Sequence, residues 1–127
     1  MATVALNDTE FDRIVADNDI VLVDFWASWC GPCRMFAPVF EAAAEKHADV
    51  VFAKVDTEAE QDLARRFGIM SIPTLMAFRD QILLYSAPGA LPATALEELI
   101  GKVKELDMDQ VRRAIEEEQS KATAENS

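Results

Sequence analysis

The sequence predicts an α/β domain: a central mixed β-sheet with helices on both faces. Three observations predict it. Residues 20–27 and 50–55 are short, almost continuously apolar runs, as expected of strands covered on both faces. A helical apolar stripe lies between them, so the two strands are joined through a helix and run parallel. Two further runs, 73–78 and 82–85, flank Arg79-Asp80-Gln81 and read as an antiparallel hairpin.

The elements follow in order. A short leading strand is expected over residues 3–6. Asn7 followed by Glu10 reads as an N-cap with a capping-box partner, and Phe11, Ile14 and Val15 supply the stripe of a first helix. After the strand at 20–27, a second helix opens in Cys30-Gly31-Pro32-Cys33, with Phe36, Phe40 and Ala43 at helical spacing. Pro38 lies inside it and is expected to kink it. Beyond the strand at 50–55, Ala59, Leu63 and Phe67 mark a third helix, stopped by Gly68. After the hairpin, Pro92 opens a core helix with Leu96, Leu99, Ile100 and Val103 on one face. Gly101 inside it is a mild local cost.

Past Leu106 the register changes. Asp107 with Gln110 reads as a new cap, and Met108, Val111 and Ile115 form a short second stripe. From Glu116-Glu117-Glu118 to Ser127 the residues are polar and are expected to fray. The chain thus divides into a domain at 1–106 and an extension at 107–127, a short helix with a disordered acidic tail. An appended helix with a solvated end is preferred over a partner-binding helix.

A chain of 127 residues is one ordinary domain, long enough to bury a core without staples. Half its residues are hydrophobic and 28% are charged, which sets the class as soluble and globular. No run approaches the length of a membrane span. The start, Met1-Ala2-Thr3-Val4, shows no basic region followed by a long apolar stretch, so no secretory signal is read and a cytoplasmic setting is expected. A net charge of −11 argues against electrostatic binding to nucleic acid or anionic lipid.

The chemistry concentrates in Trp29-Cys30-Gly31-Pro32-Cys33, which holds both cysteines of the chain. Two thiols two residues apart close a small disulfide when the backbone turns between them. Gly31 and Pro32 suit that turn. Cys30 then sits at a helix N-terminus, where orphan N–H groups and the dipole favour thiolate over thiol. A zinc site fits poorly, because there is no second CxxC and the single His47 has no His or Cys neighbour at ligand spacing. A secreted, disulfide-stapled mini-protein would carry more cysteines in a shorter chain. Redox chemistry is the reading.

Asp24 is a lone carboxylate in an apolar strand. Either it reaches water at a strand end, or it is a buried carboxyl with a raised pKa, able to take the proton of Cys33. Lys54 is similarly isolated among Val51, Phe52 and Val55, as a charge partner of Asp24 or as a snorkelling side chain. Trp26 reads as core packing, and His47 as a structural residue near a helix C-terminus. Arg34, beside the cysteines, reads equally as a solvated side chain and as one that steers clients or stabilises thiolate.

With these residues in view, the chain resembles the bacterial thioredoxin family over about residues 4–106. The resemblance rests on Val21-Leu22-Val23-Asp24-Phe25-Trp26-Ala27, the Trp29 to Cys33 run, residues 35–38, Ala53-Lys54-Val55-Asp56, Gly68-Ile69, Ile72-Pro73-Thr74 and Gly89-Ala90-Leu91. It implies a thioredoxin fold and a protein-disulfide reductase, with Cys30 the nucleophile and Cys33 the resolving thiol. It supports proton transfer at Asp24 with Lys54 beside it. It implies a cis bond before Pro73, which leaves the backbone at Ile72 free to pair with an extended client. Trp29, Gly31, Pro32, Ile72, Pro73, Gly89 and Ala90 would form the client-contact surface.

The same resemblance implies no bound cofactor and no metal. Electrons would come from NADPH through a flavoprotein thioredoxin reductase, to a monomer whose clients are oxidised proteins. An oxidase or isomerase is disfavoured, since such members often carry His between the cysteines together with an export signal. A redox-independent docking or chaperone-like module is the alternative from another class. Two features depart from the family: Asp80-Gln81 in place of the usual Asn-Gly or Asp-Gly hairpin turn, and the acidic extension.

Overall fold

The structure, a computed structural model, describes residues 2–125. Its elements run β1 (Thr3–Ala5), α1 (Asp8–Asp17), β2 (Ile20–Trp26), α2 (Gly31–Lys46), β3 (Val51–Asp56), α3 (Gln61–Arg66), β4 (Thr74–Arg79), β5 (Ile82–Pro88), α4 (Ala93–Glu105) and α5 (Met108–Glu125). The sheet order is β1-β3-β2-β4-β5. β1 and β2 both pair parallel with β3, while β4 runs antiparallel to β2 and β5 antiparallel to β4. The mixed sheet expected from the sequence is therefore present.

Alternation along β2 sorts the two faces. Ile20 and Leu22 join Phe52, Leu75 and Ala77 under α2 and α4, which contribute Phe36, Phe40, Leu96 and Ile100. Val21, Val23 and Phe25 point the other way and pack with Phe11, Val15, Leu63 and Phe78, from α1, α3 and β4. By the same parity Asp24 and its register partner Lys54 lie on the α2 face of the sheet. The fold thus sets an acid beneath the helix that carries both cysteines.

The local signals act as their chemistry dictates. Asn7 Oδ1 accepts from the Glu10 N–H at 2.9 Å, and Asp107 Oδ1 accepts from Asp109 and Gln110 N–H at 3.0 and 3.3 Å. Gly68, at φ 61°, ends α3: its N–H donates to Arg65 O at 3.0 Å and the Ile69 N–H to Ala64 O at 3.0 Å. α2 continues through Pro38.

Three expectations change. β5 extends to Pro88 rather than ending at residue 85, because it pairs with all of β4 back to Thr74. Pro92 is the N-cap of α4, one residue before the first helical position. The extension is a single helix through Glu125, longer than a short helix with a disordered tail; Asn126 and Ser127 lie outside the described residues. Opposite charges recur four residues apart along it (Arg112 and Glu116, Arg113 and Glu117, Glu117 and Lys121, Lys121 and Glu125), a spacing that supports a solvated helix.

Candidate active site

Cys30 is the N-cap of α2, with extended backbone at φ −86° and ψ 115°, and Gly31 and Pro32 form the first turn. Cys30 and Cys33 are joined by a disulfide, with Cα atoms 5.2 Å apart. The Cys33 N–H donates to Cys30 Sγ at 3.2 Å, and the Arg34 N–H to Cys30 O at 3.1 Å. The Cys33 N–H is an orphan donor of the helix start, and with the helix dipole it favours negative charge on Cys30 Sγ whenever the disulfide opens, whereas the Arg34 bond is the first regular turn of the helix. In this oxidised state exposure does not separate the two residues, at 4% and 3%, although the sequence reading expects Cys30 to be the accessible one. Their positions differ instead: Cys30 Sγ lies 3.7 Å from the carbonyl oxygen of Ile72.

The Ile72–Pro73 peptide is cis, as the resemblance implies. Pro73 O accepts the Gly89 N–H at 2.8 Å, which binds the end of β5 to this loop. Gly89 takes φ 106°, a conformation suited to glycine. Ile72, Pro73 and Gly89 are thereby brought together beside Cys30, with Ala90 exposed next to Gly89. Trp29 is exposed, and its indole N–H donates to Glu58 Oε1 at 2.7 Å. Glu58 escapes sequence reasoning because it lies in the turn after β3, and only the fold brings it to Trp29.

Asp24 is fully buried, and neither of its oxygens has a hydrogen-bond partner among the described residues. It does not reach water at a strand end, so the buried reading holds. Burial pushes its carboxyl up to about 7, against the lowering pull of the Lys54 ammonium. Lys54 stands opposite Asp24 in the β2–β3 register, yet its Nζ sits 4.8 Å over the Trp26 ring rather than in an ion pair with Asp24. Lys54 and Trp26, with Pro38, Glu41 and Asp56, line a cavity of about 670 Å³ on this face.

His47 and Arg34 have these partners. His47 caps α2, with Nε2 2.7 Å from Glu97 Oε2 and Nδ1 3.0 Å from Lys104 Nζ, which links α2 to α4. Arg34 Nη1 donates to Ser28 O at 2.8 Å, which holds the guanidinium on the loop before Cys30. No cluster of metal-ligating side chains occurs among the described residues.

The arrangement is a disulfide at a helix N-terminus, on the sheet face that also holds a buried acid. Comparison with known proteins agrees. The thioredoxin family model matches residues 2–102. A protein of Streptomyces coelicolor, described provisionally as thioredoxin 2, is 55% identical over 121 residues, covering 95% of this chain and 90% of that one. A thioredoxin of Alicyclobacillus acidocaldarius is 45% identical over 103 residues, covering 80% of this chain and 98% of its own. Among solved structures, a mutant thioredoxin from Halobacterium salinarum superposes with a TM-score of 0.76 at 40% identity, over 82% of this chain and 91% of that chain. The chain belongs to the thioredoxin family, and its Cys30–Cys33 pair makes it a thiol–disulfide oxidoreductase.

Proposed function

We propose that the chain works in the reducing direction on protein disulfides, with Cys30 attacking and Cys33 resolving. The observation that supports this reading most is the Cys30–Cys33 disulfide seated at the start of α2, with Cys30 as the cap. In the reduced protein the Cys30 thiolate attacks one sulfur of a client disulfide, and the other client sulfur leaves as thiolate. Cys33 then gives its proton to the Asp24 carboxylate and attacks Cys30 Sγ. The client's second thiolate departs, and the internal disulfide closes. A proton acceptor titrating near 7, buried on the α2 face of the sheet, suits that second step. Lys54 acts on Asp24 through its charge, which favours the carboxylate form.

Clients meet the surface formed by Trp29, Gly31, Pro32, Ile72, Pro73, Gly89 and Ala90, whose apolar character and free backbone groups suit sequence-tolerant recognition. Two electrons return from NADPH by way of a flavoprotein thioredoxin reductase, with no cofactor resident on this chain. The protein acts as a monomer in the cytoplasm, where a reducing poise sustains a dithiol.

Trapping tests the roles. Cys33→Ser should capture an oxidised client as a mixed disulfide and stall, because a serine hydroxyl does not displace sulfur from a disulfide here. Cys30→Ser should capture far less. The readout is a non-reducing gel with mass spectrometry of the adducts. Equal trapping by the two variants would overturn the assignment. NADPH-driven reduction of insulin with an added thioredoxin reductase tests the direction, and no turnover by the wild-type protein would reject it.

A further inference from the structure

We propose that Met70 is a reversible oxidation site that governs client capture, an inference that rests on the reductase reading above. The described methionines fall into two groups. Met76 and Met108 are 3% and 6% exposed, whereas Met35 and Met70 are 75% and 95% exposed. Met70 alone of these lines the cleft of about 330 Å³ that Trp29, Ile69 and Ile72 also border. The Ile72 carbonyl at that cleft is the group 3.7 Å from Cys30 Sγ. A chain that brings a disulfide to Cys30 therefore passes the Met70 thioether.

The chemistry depends on the state of the cysteines. While Cys30 and Cys33 are joined, neither offers a thiolate to an oxidant. The exposed thioether is then the two-electron donor on this face. The Met70 sulfur lone pair attacks the terminal oxygen of a hydroperoxide and the O–O bond breaks. The S–O bond forms, and the proton carried by the transferred oxygen passes through solvent to the alkoxide oxygen, which leaves as alcohol, or as water when the oxidant is hydrogen peroxide. Sulfur loses two electrons and the peroxide gains them. The product sets a strongly polar sulfoxide on the exposed rim of the cleft beside Trp29 and Ile72, where a client side chain seated against it would have to desolvate it. Capture weakens, while the groups that hold Cys30 at the start of α2 are untouched. Oxidation accumulates when the disulfide persists, so the device registers a failing supply of electrons.

The experiment incubates the disulfide form with hydrogen peroxide, removes the excess, and maps added oxygen by peptide mass spectrometry. The treated protein is then reduced with dithiothreitol, and its rates are measured with insulin and with a small aromatic disulfide. Met70 should gain oxygen on the order of tenfold faster than Met76. Insulin reduction should fall roughly fivefold, as expected when apolar contact is lost, while the small disulfide reacts at its former rate. Methionine sulfoxide reductase, supplied with dithiothreitol, should restore the insulin rate. Treated Met70→Leu protein should stay at its own untreated rate. The proposal is overturned if Met70 oxidises no faster than Met76, if the oxidised wild type keeps its insulin rate, or if Met70→Leu loses as much as wild type. Absence of insulin reduction by untreated wild type would instead reject the reductase reading.

Discussion

Asp24 shows how burying a single carboxylate makes stability depend on pH. In the unfolded chain its carboxyl titrates near 3.8, and in the folded protein burial moves it up to about 7. Between those values the folded state holds a proton that the unfolded state has released, so stability falls as pH rises through that window. Well below pH 3.8 both states are protonated and the cost vanishes. Above pH 7 the full cost applies, about 4 kcal/mol by linkage. Asp24→Asn should therefore change stability by less than about 1 kcal/mol at pH 4 and raise it by up to about 4 kcal/mol at pH 8. Urea melts across pH 4–8 measure this, and a mutant no more stable at pH 8 would contradict a buried, partnerless carboxylate. The same variant should release mixed disulfides slowly near neutral pH while Cys30 alkylation stays fast. Equal release rates for mutant and wild type across pH 6–9 would remove Asp24 from the mechanism.

At the scale of elements, the β4–β5 turn is the clearest case of local strain. Asp80 and Gln81 take φ of 52° and 69°, the left-handed pair of a two-residue hairpin, with no glycine at either position. Asp80 is accommodated by its contacts: its N–H donates to Asp19 O at 2.9 Å, and its carboxylate lies 3.2 Å from Arg112 Nη1 on α5. Gln81 has a Cβ in a conformation that costs about 1–2 kcal/mol, partly offset by the freedom glycine has when unfolded. Gln81→Gly should thus stabilise the fold by about 1 kcal/mol, with an increased urea midpoint as the measure. A lower midpoint would show that the side chain makes a contact worth more than the strain.

What was legible at this scale follows from burial. β2 and β3 were legible because both their faces are covered, which leaves apolar runs in the sequence. The far end of β5 was not, since that strand lies at the sheet edge and only its pairing with β4 defines its length. The start of α5 was legible from the stripe of Met108, Val111 and Ile115, whereas past Glu116 the helix is too polar for a periodicity argument and its support lies in charges four apart. The cysteines and Asp24 announced themselves as chemistry out of place in their surroundings. Glu58 and Met70 did not, because their relation to Trp29 exists only after folding.

Over the whole molecule, the start of α5 and the redox pair occupy opposite ends of the sheet. Arg79 ends β4 beside Ile20, the first residue of β2, whereas the cysteines follow the other end of β2. Arg79 Nη1 donates to Val103, Lys104 and Leu106 carbonyl oxygens at 2.8, 3.2 and 2.8 Å, which fixes the junction of α4 and α5. Met108 is buried just beyond it, and Arg112 reaches the hairpin turn. The Streptomyces relative aligns over 121 residues, far enough to include most of α5, while the Alicyclobacillus relative is spanned almost entirely by 103. The helix is therefore expected to be dispensable for folding of the rest of the chain. Truncation after Leu106 keeps the Arg79 contacts and forfeits the burial of Met108, a loss of roughly 2 kcal/mol. The truncated protein should fold with a lower urea midpoint and reduce insulin at nearly the full rate. A large loss of turnover with the reductase, in truncated protein that remains folded by circular dichroism, would instead make α5 part of the surface that meets the reductase. The position of the start of the helix, at the end of the sheet away from Cys30, argues for the first result.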